Sequence, residues 1–178
     1  MRNGLKKQAE KGEDESTYND KYNKKNYLVL DTISPESIEL ADVMYIEDNI
    51  IYLCHVKYGF STETRELYSQ IITSARRLKN DLKDEENIYL RAVYKGLKTK
   101  DKNRDLTEHE FVNLFKESDS IKYVMCVTSH LKNKPLQKTI SKYNSNIAKL
   151  SLIQCYQEMR TEYYDLSFEV IKNDACFS

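Results

Sequence analysis

Two apolar segments joined by a short polar connector constrain the fold more than any other feature of this sequence. Residues 38–48 and 50–58 are rich in β-branched and aromatic side chains, and Glu47-Asp48-Asn49 lies at their junction. Segments of this kind, separated by a few polar residues, predict a β-hairpin, and Gly59 predicts its end. Any fold for this chain must therefore accommodate two neighbouring antiparallel strands.

The other apolar patterns alternate between helical and extended periods. Residues 62–82 predict a helix, because Leu67, Ile71 and Leu78 recur at helical spacing after a capping Ser61 or Thr62. Residues 88–94 fit either a helix or a strand. The remaining predictions are a strand at 27–30, a loop at 95–106, a short capped helix at 107–115, a buried strand at 121–128, a helix whose apolar face holds Leu136, Ile140, Tyr143, Ile147 and Leu150, and a last strand through Leu166, Phe168 and Val170.

Strands that alternate with helices and include one hairpin predict a mixed α/β (α+β) fold, with a mixed central sheet flanked by helices. Residues 1–25 are polar and charged and predict an N-terminal helix, whereas residues 26–178 predict a single domain. No apolar run approaches the roughly 20 residues that span a bilayer, and no apolar signal segment follows Met1. We therefore expect a cytoplasmic protein without a membrane partner.

The cysteines and the common catalytic motifs exclude several classes of site. Cys54, Cys126, Cys155 and Cys176 form no CxxC pair, which argues against a structural zinc site. Cys54 and Cys126 lie in apolar runs and are predicted to be buried thiols, without disulfides in a reducing compartment. The sequence has no glycine-rich phosphate loop, no GxSxG and no HExxH.

Polar side chains interrupt the apolar hairpin at chemically useful positions. Glu39 or Asp42 lies on the first predicted strand, and His55 and Lys57 lie two residues apart on the second, so that they point to the same face. One interpretation is metal-dependent phosphodiester hydrolysis, in which carboxylates hold Mg²⁺ or Mn²⁺ and a lysine stabilises the developing charge. The other is a structural salt bridge, or a strand face exposed to solvent.

The order of these elements, with Asp42 on one strand and His55-Val56-Lys57 on the next, resembles the restriction-endonuclease-like core. That superfamily carries an Asp followed by (D/E)-x-K, and His55 replaces the first acidic residue of the second motif. The resemblance implies a divalent metal, Mg²⁺ or Mn²⁺, at Asp42 and His55, with His55 as a ligand or general base and Lys57 at the phosphate. It also implies an acid on the first helix, for which Glu15 is the candidate, and a helix glutamine at Gln70.

A second resemblance covers most of residues 16–172. It is to a sporadically distributed family of uncharacterised bacterial proteins that occur with mobile elements and defence genes, and in which a His-Val-Lys triplet follows an acidic strand. The matching segments are STYND (16–20), NYLVLD (26–31), IELADV (38–43), CHVKYG (54–59), SQIITSARRL (69–78) and ISKYN (140–144). This resemblance implies that His55 is the family's normal residue and that the chain corresponds to a C-terminal region.

Basic residues cluster on both sides of the acidic hairpin. Residues 91–104 hold six basic side chains with Asp101 as the one acid, and residues 132–149 hold five lysines and no acid. Such runs can contact phosphates, although solvated lysines give the same pattern. The candidate nucleic-acid contacts are Gln70, Arg76, Arg77, Lys138 and Lys142.

Three functions remain open from the sequence. The first is a metal-dependent nuclease acting on DNA or RNA in a bacterial defence or mobile-element context. The second is a non-catalytic nucleic-acid-binding module on the same fold, which the histidine at position 55 favours. The third is a protein-interaction subunit, either in a homo-oligomer or with a larger defence-system partner.

Overall fold

The fold is given by a computed structural model that describes residues 27–33, 35–129, 140–141 and 143–172. Five strands and four helices are present in these residues, with a 3₁₀ turn at Pro35–Ser37. They are β1 (Tyr27–Val29), β2 (Val43–Glu47), β3 (Ile50–Lys57), α1 (Thr64–Asp81), α2 (Ile88–Lys100), α3 (Glu108–Glu117), β4 (Ser120–Ser129), α4 (Asn146–Thr161) and β5 (Asp165–Lys172).

The strands form one mixed sheet in the order β1-β2-β3-β4-β5. Strand β2 is antiparallel to both of its neighbours, whereas β3, β4 and β5 are parallel. Helices α1, α2 and α3 lie in the connection from β3 to β4, and α4 lies in the connection from β4 to β5. The predicted mixed α/β class is confirmed.

The predicted hairpin is confirmed, with a two-residue turn that sets its register, but its first strand begins at Val43, so that Glu39 and Asp42 precede the strand on which they were predicted. Asp48 and Asn49 have φ angles of 51° and 57°, the left-handed conformations that a type I′ turn requires. The Asn49 side-chain amide donates to the Glu117 carbonyl at 3.0 Å and to the Asp119 carboxylate at 3.1 Å. The turn is thereby attached to the connection between α3 and β4, at the start of the parallel pairing between β3 and β4.

Two buried clusters lie on opposite faces of the sheet. The first contains core residues of all four helices together with Leu53 of β3 and Met125 of β4. Every fully buried member of the second lies on β2, β3 or β4, and the members are Val43, Tyr45, Tyr52, Cys54, Val56, Val124 and Cys126. Cys54 and Cys126 are free and buried, as the sequence predicted.

The loop predicted at 95–106 is wrong for its first half, because α2 continues to Lys100. The undecided segment 88–94 is the start of this same helix, whose buried face includes Leu90, Val93 and Leu97. Gly96 does not end the helix, because the loop before the 3₁₀ turn packs against it. A Cβ at Gly96 would lie 2.5 Å from Ile33 Cγ2.

The apolar face predicted for 136–150 is also wrong. Leu136 lies outside the described residues, Tyr143 precedes α4, and Ile147 and Leu150 are exposed. Helix α4 begins after Ser145, whose hydroxyl accepts a hydrogen bond from the Ala148 amide. Its buried face consists of the smaller or flexible side chains of Ala148, Ser151, Cys155 and Met159, and it packs against α1. The helix bounds predicted at 62–82 and 107–115 agree closely with α1 and α3.

Asp81, the last residue of α1, fixes where α2 begins. Its buried carboxylate accepts hydrogen bonds from the backbone amides of Tyr89 (2.8 Å) and Leu90 (3.0 Å), which no helical carbonyl can satisfy. The Asn87 side-chain amide donates to the Asp81 carbonyl at 2.7 Å. One acidic residue therefore joins two core helices.

We predict that Asp81→Ala lowers the free energy of unfolding by about 3 kcal/mol, because two buried amide donors lose a charged acceptor. Asp84→Ala is the control, since the Asp84 carboxylate accepts a hydrogen bond from the exposed amide of Glu86, and we expect a much smaller loss. Urea denaturation of both variants measures the difference. Equal losses of unfolding free energy in the two variants would contradict the proposed role of Asp81 in joining the two helices.

Candidate functional site

The candidate site lies where the segment before β2, the end of β3 and the first turns of α1 meet. Asp42 immediately precedes β2 and is almost fully buried. Its Oδ2 accepts a hydrogen bond from the Val56 amide at 2.6 Å, and its own amide donates to the Cys54 carbonyl at 3.0 Å. The carboxylate thus extends the hydrogen bonding of the hairpin, and it contacts the backbone of the residue that precedes Lys57.

His55 is fully buried on the face of the sheet that the helices cover. Its ring is parallel to Tyr123, with centroids 6.1 Å apart, and neither ring nitrogen has a hydrogen-bond partner among the described residues. Burial lowers the pKa of His55 to about 4, an effect that the nearby Leu40 carbonyl partly opposes. His55 is therefore a neutral imidazole at physiological pH.

A small polar cluster lies close to His55 in the same core. The Ser74 hydroxyl of α1 donates to the Leu40 carbonyl at 2.7 Å and lies 3.2 Å from the Tyr123 hydroxyl. Burial raises the pKa of Tyr123 well above its usual value, so this hydroxyl also stays neutral. The cluster holds the segment before β2 against α1 without any charge.

Lys57, at the end of β3, contacts an acid that the sequence analysis did not place in the site. Its Nζ lies 3.5 Å from Glu66 Oε2 on the first turn of α1. The Lys57 side chain is 24% exposed and that of Glu66 is 61% exposed, so the pair borders solvent. Glu66 was not a candidate from the sequence, because contact between a strand end and the next helix leaves no periodic signal.

A cleft of about 490 Å³ lies along α1, beginning three residues after Glu66. Gln70 and Thr73 of α1 line it together with Glu39 and residues 37–38. Glu66, Gln70 and Thr73 are spaced at i, i+4 and i+7, which places them on one face of the helix. Glu39 and Gln70, two sequence candidates, are therefore brought to one cleft.

The structure separates other predicted residues. The Asp42 carboxylate bonds the β3 backbone, whereas the His55 ring lies within the helix-covered core. Arg76 pairs with Glu158 of α4 (2.9 Å) and with Glu162 just after it (3.0 Å), so its charge is engaged in ion pairs within the chain.

Arg77 is engaged in a similar way. It pairs with Glu36 at 3.1 Å and lies 4.8 Å from the centre of the Tyr89 ring. The predictions for Glu15, Lys138 and Lys142 fall outside the described residues. Within the described ranges, no group of three or more His, Cys, Asp or Glu side chains could hold a metal ion.

A family model of proteins of unknown function, DUF6119, matches residues 2–172 of the chain. Neither the curated proteins nor the solved structures contain a match. Among the described residues, no helix is both long and apolar enough to cross a membrane.

We predict that His55 makes folding pH-dependent. Its pKa is about 4 when folded and about 6.5 when unfolded, so between these values the unfolded chain binds more protons. The free energy of unfolding therefore falls as the pH falls through this window. The loss from His55 is about 2 kcal/mol between about pH 7.5 and about pH 5.

His55→Phe keeps a ring against Tyr123 and should remove this part of the pH dependence in urea denaturation. His109→Gln, which changes an exposed histidine on α3, should leave it in place. An NMR titration in which His55 protonates near pH 6.5 in the folded protein would contradict the prediction.

Proposed function

Since the chain belongs to the DUF6119 family of proteins of unknown function, we propose from its own residues that it is a metal-dependent nuclease-like domain. It hydrolyses phosphodiester bonds of DNA or RNA, in a bacterial defence or mobile-element context and in the cytoplasm. The observation that carries the proposal is the adjacency of Asp42 and Lys57: the carboxylate of one binds the amide of Val56, the residue before the other.

The topology supports the proposal. A single antiparallel strand, β2, is followed by parallel strands, with the acid before β2 and the lysine at the end of β3. This is compatible with the restriction-endonuclease-like core that the sequence resembles. A mixed sheet alone does not specify chemistry, so Asp42 and Lys57 carry the proposal.

The donor atoms fit a hard divalent cation. Mg²⁺ binds one or two protein carboxylates and keeps water or substrate oxygens as its other ligands. Asp42 would hold the metal, and Glu39 of the segment before β2 and Glu66 of α1 are the candidates for a second carboxylate. Bound there, Mg²⁺ or Mn²⁺ would polarise the phosphate and lower the pKa of a water molecule.

The side chains of this protein would supply the remaining functions. Lys57 borders solvent and carries a positive charge to the place where a phosphate would develop negative charge, and the cleft at Gln70 would position the substrate. The predicted role of His55 as a ligand or general base stays a prediction. Its complete burial favours a role in the core beneath the site.

That burial also favours the second candidate, a non-catalytic nucleic-acid-binding module. An acid at position 55 would contribute a second carboxylate, and a neutral imidazole within the core does not replace it. Such a module would bind nucleic acid with a strong salt dependence and without a divalent cation.

We predict that Lys57→Met lowers metal-dependent cleavage at least about 100-fold, because the developing phosphate charge loses its cation. Asp42→Asn should do the same while its side-chain oxygen still accepts the Val56 amide. Lys79→Met is a matched control, since Lys79 is 27% exposed, against 24% for Lys57, and also pairs with one glutamate.

The measurement is cleavage of plasmid, linear and single-stranded DNA and of RNA under Mg²⁺, Mn²⁺ and EDTA. Cleavage at the wild-type rate by both site variants would rule out the nuclease. Binding without cleavage by the wild-type protein would instead support the non-catalytic module.

A further inference from the structure

A second cleft, of about 590 Å³, lies at the opposite end of the sheet, where β4 and β5 begin. The residues that give it aromatic or charged character are Tyr52, Lys122, Tyr156, Arg160, Tyr164 and Asp165. Three aromatic rings and two cations around one open cleft form a chemical environment that differs from the acidic end at Asp42.

One wall of this cleft is the end of an aromatic row that crosses the sheet. Tyr27, Tyr45 and Tyr52 are cross-strand partners and stack with ring centroids 5.3 Å and 4.5 Å apart and with nearly parallel planes. The next partners in the same row are Lys122 and Asp165. Tyr52 is itself 8% exposed, so this row gives the cleft a rigid edge, and a flat ring would stack on the more exposed rings of Tyr156 and Tyr164.

The other wall is the last part of α4, where Tyr156 and Arg160 lie on one helix face at i and i+4. Tyr156 is half exposed, and Arg160 has no ion pair among the described residues. The acids on either side of Arg160 along the helix, Glu158 and Glu162, are already paired with Arg76 of α1, and Glu162 also with Lys79. Among the described residues, therefore, no acidic side chain of α4 neutralises the charge of the Arg160 guanidinium.

Lys122 contributes a second cation to the floor of the cleft. It pairs with Asp165 at 3.8 Å, and the Asp165 side chain is 79% exposed, so the pair is weak and open to exchange. Burial raises the pKa of Tyr164 to about 12, and its hydroxyl therefore remains a neutral donor. Asp165 can accept a hydrogen bond from a ribose hydroxyl or a base amino group.

We propose that this cleft binds a nucleotide, with the base against the tyrosine rings and the phosphate at Arg160 and Lys122. Stacking on aromatic rings tolerates any base, and a guanidinium is well suited to a phosphate. The nucleotide comes either from a free mononucleotide or from one unit of a single strand. The site does not depend on the proposed cleavage at Asp42 and Lys57.

The test is calorimetric titration of the full chain, in EDTA, with adenosine 5′-monophosphate, adenosine, inorganic phosphate and a short single-stranded oligonucleotide. Tyr156→Leu and Arg160→Gln should each weaken nucleotide affinity about tenfold. Both side chains are exposed, so the variants should fold as the wild type does. Arg65→Gln is the control, because Arg65 is an exposed arginine of α1 without an ion pair among the described residues. This variant should change nucleotide affinity less than about twofold.

Binding of the monophosphate would show that a free nucleotide is sufficient. Binding of the oligonucleotide alone would show that the ligand is a single strand. Either result supports the site if Tyr156→Leu and Arg160→Gln weaken the affinity. Three results would overturn it: no binding of either probe, equal affinity for inorganic phosphate, or unchanged affinity in both variants. Because EDTA removes the divalent cation, a failure here is separate from a failure of the nuclease.

Discussion

The register of the β2–β3 hairpin determines where Asp42, His55 and Lys57 lie. A strand alternates its side chains between two faces, so a slip of one residue would exchange the whole set. The left-handed turn at Asp48 and Asn49 fixes the register at one end, and the hydrogen bond from the Val56 amide to Asp42 fixes it at the other. With that register, His55 lies in the helix-covered core, whereas Lys57 lies at the edge of the sheet face, where it borders solvent.

Local signals predicted most of the elements. The turn residues and the apolar alternation predicted the hairpin, and Thr107 with Glu110 forms a capping box at the start of α3, near the predicted boundary. The prediction failed in α2, where Gly96 and a run of charged residues suggested a loop. Only the tertiary contact with Ile33 explains why a glycine is kept within that helix.

The candidate site was predictable only in part, for the same physical reason. The spacing of His55 and Lys57 indicated a shared face, but it carried no information about which part of that face the helices cover. Burial therefore separates two residues that look equivalent in the sequence. Glu66 and Arg160 were missed because their importance comes from partners on other elements, or from neighbouring acids that are already paired elsewhere.

The two ends of β3 differ in charge and are far enough apart to act separately. Tyr52 and Lys57 are five residues apart, which corresponds to about 17 Å along a strand. This exceeds the Debye length of about 8 Å at physiological ionic strength, so exposed charges at one end barely influence the other. Substitutions at sites this distant usually have additive effects on free energy. If one strand of nucleic acid occupies both ends, its affinity would be set mainly by the aromatic, cationic end and the proposed hydrolysis by the acidic end, because Asp42, the proposed metal ligand, lies beside Lys57 there.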